Sequence, residues 1–179
     1  MSGPYRAGLA LPIGVSAVEL RELHGQLTDL DATVAVAESL TGGLLSAALT
    51  VTAGASRTIR GGLVVYATDL KSELAGVSAS LLSERGAVDP DVALGLARGA
   101  RDRLAADYGL GLTGVAGPDP QDGVDVGTVF IALAGRGVER VERYRFDGGR
   151  EQIRTACVHA ALALLGGECT RAITALRSP

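Results

Sequence analysis

Along this chain, stretches in which apolar residues recur every three or four positions alternate with short stretches in which they run together, a pattern that predicts helices interleaved with strands. Residues 16–28 have the helical period. They open on Ser16 with Glu19 three positions later, a capping box in which each side chain satisfies a free backbone donor of the first turn. Residues 33–37 form a β-rich run closed by Glu38-Ser39-Leu40-Thr41-Gly42-Gly43, and helical character returns over 44–51. Residues 53–60 read as a loop. Gly61-Gly62 then lead into a strand over 63–66, and Thr68 caps a helix that begins Asp69-Leu70-Lys71.

Ser78 opens a short helical turn that ends at Gly86. Asp89-Pro90 places a capping carboxylate before a proline at the first helical position, which predicts a long helix to about residue 106. A buried strand over 109–115 runs into a turn-rich segment, Thr113-Gly114-Val115-Ala116-Gly117-Pro118-Asp119-Pro120-Gln121-Asp122-Gly123. Residues 127–134 and 138–146 pair as a hairpin across Gly135-Arg136-Gly137, and the final helix spans 149–165. This order predicts one α/β domain, a three-layer α/β/α sandwich around a mostly parallel, mixed sheet with an antiparallel edge. Its expected limits are 15–168, after a flexible lead-in of 1–14 and before a tail or helix end at 169–179.

Composition narrows the picture. With 179 residues and 47% hydrophobic content, the chain can bury a core without disulfides or metals. Only 3% aromatic residues suits helices packed closely on a sheet. A net charge of -3 gives no general attraction for nucleic acid or an anionic membrane, so neither is an expected partner. No apolar run reaches the ~18 residues of a membrane-spanning helix and no signal pattern opens the chain, so a cytoplasmic location is expected. Cys157 and Cys169 stand outside any C-x-x-C unit, and His24 and His159 lie in amphipathic helices; no metal and no cofactor is expected, and the histidines are read as structural.

One count is unusual: sixteen arginines accompany a single lysine, Lys71. Arginine stays protonated in proteins, whereas a lysine withdrawn from water can lose its proton and act as a base. Tyr66 and Lys71 span a strand-to-helix turn, so both can face the crevice beyond the carboxyl ends of the strands, where open α/β sheets bind ligands. A position in the first helical turn adds the positive end of the helix dipole. A neutral lysine within reach of a serine hydroxyl can take its proton for attack on an amide carbonyl. Ser56, in the loop before the second strand, and Ser39, after the first, are the two candidates, and spacing does not choose between them. Thr113 and Gly117 lie in a loop able to offer donors to an oxyanion or phosphate, and Arg150 starts the last helix as a possible anion clamp.

Together, Ala37-Glu38-Ser39-Leu40-Thr41-Gly42-Gly43, Gly61-Gly62-Leu63-Val64-Val65-Tyr66 with Lys71, Leu112-Thr113-Gly114-Val115-Ala116-Gly117-Pro118 and Gly127-Thr128-Val129 resemble the C-terminal domain of the CinA family. The resemblance covers about 15–165. It implies a metal-independent amidohydrolase that converts nicotinamide mononucleotide to nicotinic acid mononucleotide and ammonia. On the matching positions it implies Ser56 as nucleophile, Lys71 as base and Tyr66 as a hydroxyl of the same network. Ser39, Thr41, Gly42, Gly43, Thr113, Gly117 and Arg150 are then the substrate-binding set. It implies a homo-oligomer of two or more copies. The other reading of the same resemblance is a non-catalytic nucleotide-binding or protein-interaction module tied to competence or DNA damage. Two departures stand out: the 119–126 loop carries Asp119, Gln121, Asp122 and Asp125 in place of a glycine-rich stretch, and Gly149 stands where an aspartate often precedes the arginine. The pyrophosphatase-type domain of longer family members has no counterpart in this sequence, and that activity is not expected of it.

Overall fold

The computed structural model describes residues 14–178. Five strands form one mixed sheet in the order β2-β1-β3-β4-β5: β1 (Val34–Glu38), β2 (Ile59–Val64), β3 (Tyr108–Gly114), β4 (Thr128–Gly135) and β5 (Val138–Arg145). β1 pairs in parallel with both neighbours, and β3-β4-β5 continue antiparallel. The predicted single α/β domain with a mixed sheet is therefore what the chain forms.

Alternation along the strands divides the core. Val34, Val36, Leu110, Leu112, Ile131 and Leu133 point to one face, which is covered by α1 (Ala17–Asp29), α2 (Leu44–Thr50) and α6 (Arg150–Arg177). Each such fully buried aliphatic side chain contributes roughly 1.5–3 kcal/mol. Ala35, Ala37, Phe130, Ala132 and Ala134 point to the other, covered by α3 (Thr68–Glu73), α4 (Ala79–Arg85) and α5 (Pro90–Arg103). Here the sheet has almost no side chains of its own. A Cβ on Gly109 would stand 1.9 Å from the Ala97 carbonyl oxygen, and one on Gly111 2.2 Å from that of Ala93. Thus α5 rests on bare strand backbone, which is how the chain forms a dense interior with few aromatic residues.

Caps and turns follow the sequence closely at the first helix, where Ser16 and Glu19 make the predicted capping box. α5 stops at Arg103, short of the expected 106, because Ala105 adopts a left-handed φ of 49°. β2 begins at Ile59 and includes both glycines that read as its lead-in. A Cβ on Gly62 would stand 2.1 Å from the Ser46 hydroxyl, so this glycine marks the approach of α2 to the strand. α3 starts at Thr68 with Ala67 as its cap residue, so Thr68 is inside the helix. The last helix passes through Gly166-Gly167 and runs to Arg177. At Gly166 the nearest atoms to a Cβ would belong to Gln26 and Leu23, and the missing side chain gives α1 its seat on α6. The expected flexible lead-in lies almost wholly outside the described residues.

Candidate active site

Because β1, β2 and β3 are parallel, their carboxyl ends come out side by side, and the loops leaving them enclose a cavity of about 280 Å³. Ser39, Tyr66, Thr113, Gly117 and Arg150, all expected from the sequence, line it together with Asp119 and Gln121.

Glu38 organises the first of these loops. It ends β1, is fully buried, and accepts four hydrogen bonds: from the N–H groups of Gly43, Leu45 and Ser46 at 3.1, 3.0 and 2.8 Å, and from the Ser46 hydroxyl at 2.6 Å. One carboxylate therefore satisfies the free donors that begin α2 and folds the 39–43 loop back on itself. Gly42 and Gly43 have φ of 59° and 95°, the left-handed turn needed to enter α2. Arg154 clamps the loop from α6, donating to the carbonyls of Leu40 and Thr41 at 3.0 and 2.8 Å. Thr41, Gly42 and Gly43 do not line the cavity: they shape the turn, and the Thr41 hydroxyl is buried without a hydrogen-bond partner. Ser39 remains on the wall, 9% exposed, its N–H bonded to the Leu112 carbonyl.

Lys71 is 1% exposed although it is the only lysine of the chain. Its Nζ donates to the carbonyls of Val65, Tyr66 and Ala67 at 3.0, 3.2 and 3.5 Å, immediately behind the loop that supplies Tyr66, Ala67 and Thr68 to the cavity. Burial pushes its pKa below the ordinary lysine value, and the charge of Asp69 pulls back part of the way. Of the two sources expected, burial is the one that acts. α3 has only six residues and Lys71 falls in its last turn, away from the positive end of the helix dipole.

The two serines part company here. Ser39 and Lys71 hang from adjacent strand ends: the Val65 N–H donates to the Glu38 carbonyl at 2.8 Å, and the Val65 carbonyl receives Lys71. Ser56 lies in a 3-10 turn (Ala55–Arg57) that precedes β2. The six residues of β2 put it about 20 Å from Lys71, at the opposite rim of the sheet. It is exposed in a separate depression with Thr50, Thr52 and Arg60. Its turn is pinned there by His24, whose Nε2 donates to the Leu49 carbonyl at 2.9 Å while Nδ1 pairs with the Thr58 hydroxyl at 2.6 Å. Within one chain Ser56 and Lys71 are not brought together.

The remaining side chains have defined neighbours. Tyr66 is 58% exposed, and its hydroxyl accepts from Arg150 at 2.8 Å; the same guanidinium donates to the Gly117 carbonyl at 2.9 Å and so ties two loops across the cavity mouth. Gly117 has a φ of 83°, and a Cβ there would meet Val126 at 2.8 Å. The buried Thr113 hydroxyl donates to the Ala87 carbonyl at 2.6 Å, which leaves its lone pairs toward the cavity wall. Asp119 and Gln121 belong to the loop already singled out as a departure, whereas the roles of Glu38 and Arg154 escaped the sequence reading. Glu38 carried a signal: an acidic residue five positions before Gly43 and the start of a helix.

Residues 18–169 match the family described as CinA C-terminal domain. A CinA-like protein of Frankia casuarinae is 49% identical over 141 residues, which is 79% of this chain and 33% of that protein. A putative competence-damage inducible protein of Desulforamulus reducens is 43% identical over 147 residues, 82% of this chain and 36% of that protein. The chain thus spans about a third of the length of these curated relatives. Among solved structures, the competence/damage inducible protein CihA of Agrobacterium tumefaciens superposes with a TM-score of 0.79 at 38% identity, covering 83% of this chain and 92% of that one. A competence or damage-inducible protein of Enterobacter asburiae gives 0.81 at 32% identity, covering 84% and 96%. The four motifs, the sheet order and these likenesses agree, and the chain belongs to the CinA C-terminal domain family.

Proposed function

We propose that this domain hydrolyses the carboxamide of nicotinamide mononucleotide to nicotinic acid mononucleotide and ammonia, with Ser39 as nucleophile and Lys71 as its base. The observation that carries the reading is Lys71 itself: the one lysine of the chain, withdrawn from water, with a lowered pKa, on the strand end beside Ser39. As an ammonium it fills three carbonyls. As a neutral amine it keeps two N–H donors for the closer contacts at 3.0 and 3.2 Å and frees a lone pair in place of the 3.5 Å contact.

The steps balance with no other catalyst. The Ser39 hydroxyl gives its proton to Lys71 as its oxygen adds to the carboxamide carbon, forming a tetrahedral adduct. The adduct collapses, the C–N bond breaks, and the proton on Lys71 leaves with the nitrogen as ammonia. Water then adds to the acyl-serine ester, loses one proton to the same amine, and the adduct collapses to the carboxylic acid as that proton returns to the Ser39 oxygen; the acid gives its remaining proton to solvent to leave as carboxylate. Arg150 and Tyr66 at the cavity mouth suit the phosphate and ribose. Ammonia release from nicotinamide mononucleotide tests the reading. Activity is expected in the unaltered protein, with a loss of about a thousandfold or more in Ser39→Ala and in Lys71→Ala. Full turnover in either folded variant overturns the assignment, and binding of the nucleotide with no product selects the non-catalytic reading.

A further inference from the structure

Among the described residues that line the cavity, only Arg150 and Asp119 carry charge. The fold brings them near each other, because Arg150 donates to the carbonyl of Gly117, two residues before Asp119. Yet they form no ion pair. Arg150 uses one N–H on Gly117 and one on the Tyr66 hydroxyl, so three of the five donors of its guanidinium remain. Asp119 accepts no hydrogen bond from any described residue. Its position is nonetheless built. Asp119 stands between Pro118 and Pro120, and a residue before proline is confined to extended backbone. Beyond it, Gln121 and Val124 exchange backbone hydrogen bonds of 3.1 and 2.8 Å across a tight turn in which Asp122 and Gly123 have φ of 51° and 75°. The Gly127 N–H closes the base of the loop on the Val115 carbonyl at 2.8 Å.

A ligand that fills this cavity takes water away from Asp119. A carboxylate that loses water without gaining a partner is unfavourable, and a positive charge set beside it offsets the loss. On the proposed reading the carboxamide lies at Ser39 and the phosphate at Arg150, and between them in the ligand comes a pyridine ring whose nitrogen is positive because it carries the ribose. We infer that Asp119 is a specificity-determining residue that recognises the positive charge of this ring. The cavity then takes zwitterions, in which a pyridinium carboxamide is joined to an anion, in preference to neutral amides of the same shape. Arg150 meets the negative end with its remaining donors, and Asp119 meets the positive one. The departure of the 119–126 loop from a glycine-rich stretch supplies this charge. The inference rests on the proposed substrate, but it concerns recognition, which can be measured apart from turnover.

A matched pair of ligands tests it. Nicotinamide mononucleotide and its dihydro form differ by one hydride on the ring, which removes the positive charge and leaves carboxamide, ribose and phosphate in place. Calorimetric titration into Ser39→Ala, which lacks the proposed nucleophile, is expected to show the cationic form bound about tenfold more tightly than the dihydro form. Adding Asp119→Asn is expected to bring the two affinities within about twofold of each other, while Asp119→Glu keeps most of the preference. A merely structural role for Asp119 would weaken both ligands alike. The side chain is exposed and unpartnered among the described residues, so the circular dichroism spectrum of each variant is expected to match that of the parent. A preference that survives Asp119→Asn overturns the inference, as does the lack of any preference before it. Ammonia release by the unaltered protein without a charge preference leaves the hydrolase reading standing and removes this inference. A preference that Asp119→Asn abolishes, in a protein that releases no ammonia, does the reverse, and binding of neither ligand overturns both.

Discussion

The two rims of the parallel strands are built from the same strands yet differ in kind. At the carboxyl rim every loop is tied inward: Glu38 gathers four donors, Arg154 holds two carbonyls, Lys71 three, and Arg150 bridges Tyr66 to Gly117. At the amino rim, Ser56 sits exposed on a turn held by one histidine. Two serines of similar motif appearance therefore live in unlike settings. A hydroxyl becomes a nucleophile through the base beside it, and at the carboxyl rim a buried lysine hangs from the strand end next to the serine's own.

The largest expected effect separates the rims directly. Ser39→Ala should lower ammonia release by about a thousandfold, whereas Ser56→Ala, in a separate depression, should leave kcat and KM within about threefold, read in the same steady-state assay. The reverse ranking would move the chemistry to the amino rim. Next comes the frame: Glu38→Ala leaves four donors beside a buried hole and should cost about 3 kcal/mol or more of stability, measured by urea unfolding. A loss under 1 kcal/mol would show that the loop does not depend on its carboxylate. Lys71 sets the pH profile. The reaction needs the neutral amine, so kcat should rise with pH and level off above a midpoint below the ordinary lysine value of 10.5.

The smallest effect belongs to the amino rim. Burial lowers the pKa of His24, and the hydrogen bond to the Leu49 carbonyl opposes this only in part. The unfolded chain thus binds the proton first. The contribution of His24 is complete above its unfolded value near 6.5 and is lost as pH falls from there to the folded value. Melting temperature should drop by a few degrees across that window, and His24→Gln should flatten the drop.

Much of the architecture was legible because it rests on local chemistry. The capping box at Ser16 and Glu19, the Asp89-Pro90 start of α5 and the hairpin around Arg136 each express a rule that needs only neighbours in sequence. What was misread depends on distant neighbours. Gly62 reads as a loop residue until Ser46 is seen above it, and Gly166 reads as a helix end until α1 is seen lying on it. The site divides in the same way. Lys71 could be found by its rarity, while the choice between Ser39 and Ser56 turns on which end of β2 each occupies, information carried by sheet topology. Spacing of ten and fifteen residues before Tyr66 and Lys71 placed Ser56 near them in sequence and a full strand away in space.

A chain with one lysine offers an unusually clean handle on its own chemistry. Apart from the terminal amine, an acylating reagent added to the folded protein meets a single reactive nitrogen, and only the uncharged form reacts. Intact-mass measurement of labelling against pH would thus record the titration of Lys71 with only the terminal amine to subtract and no substrate present.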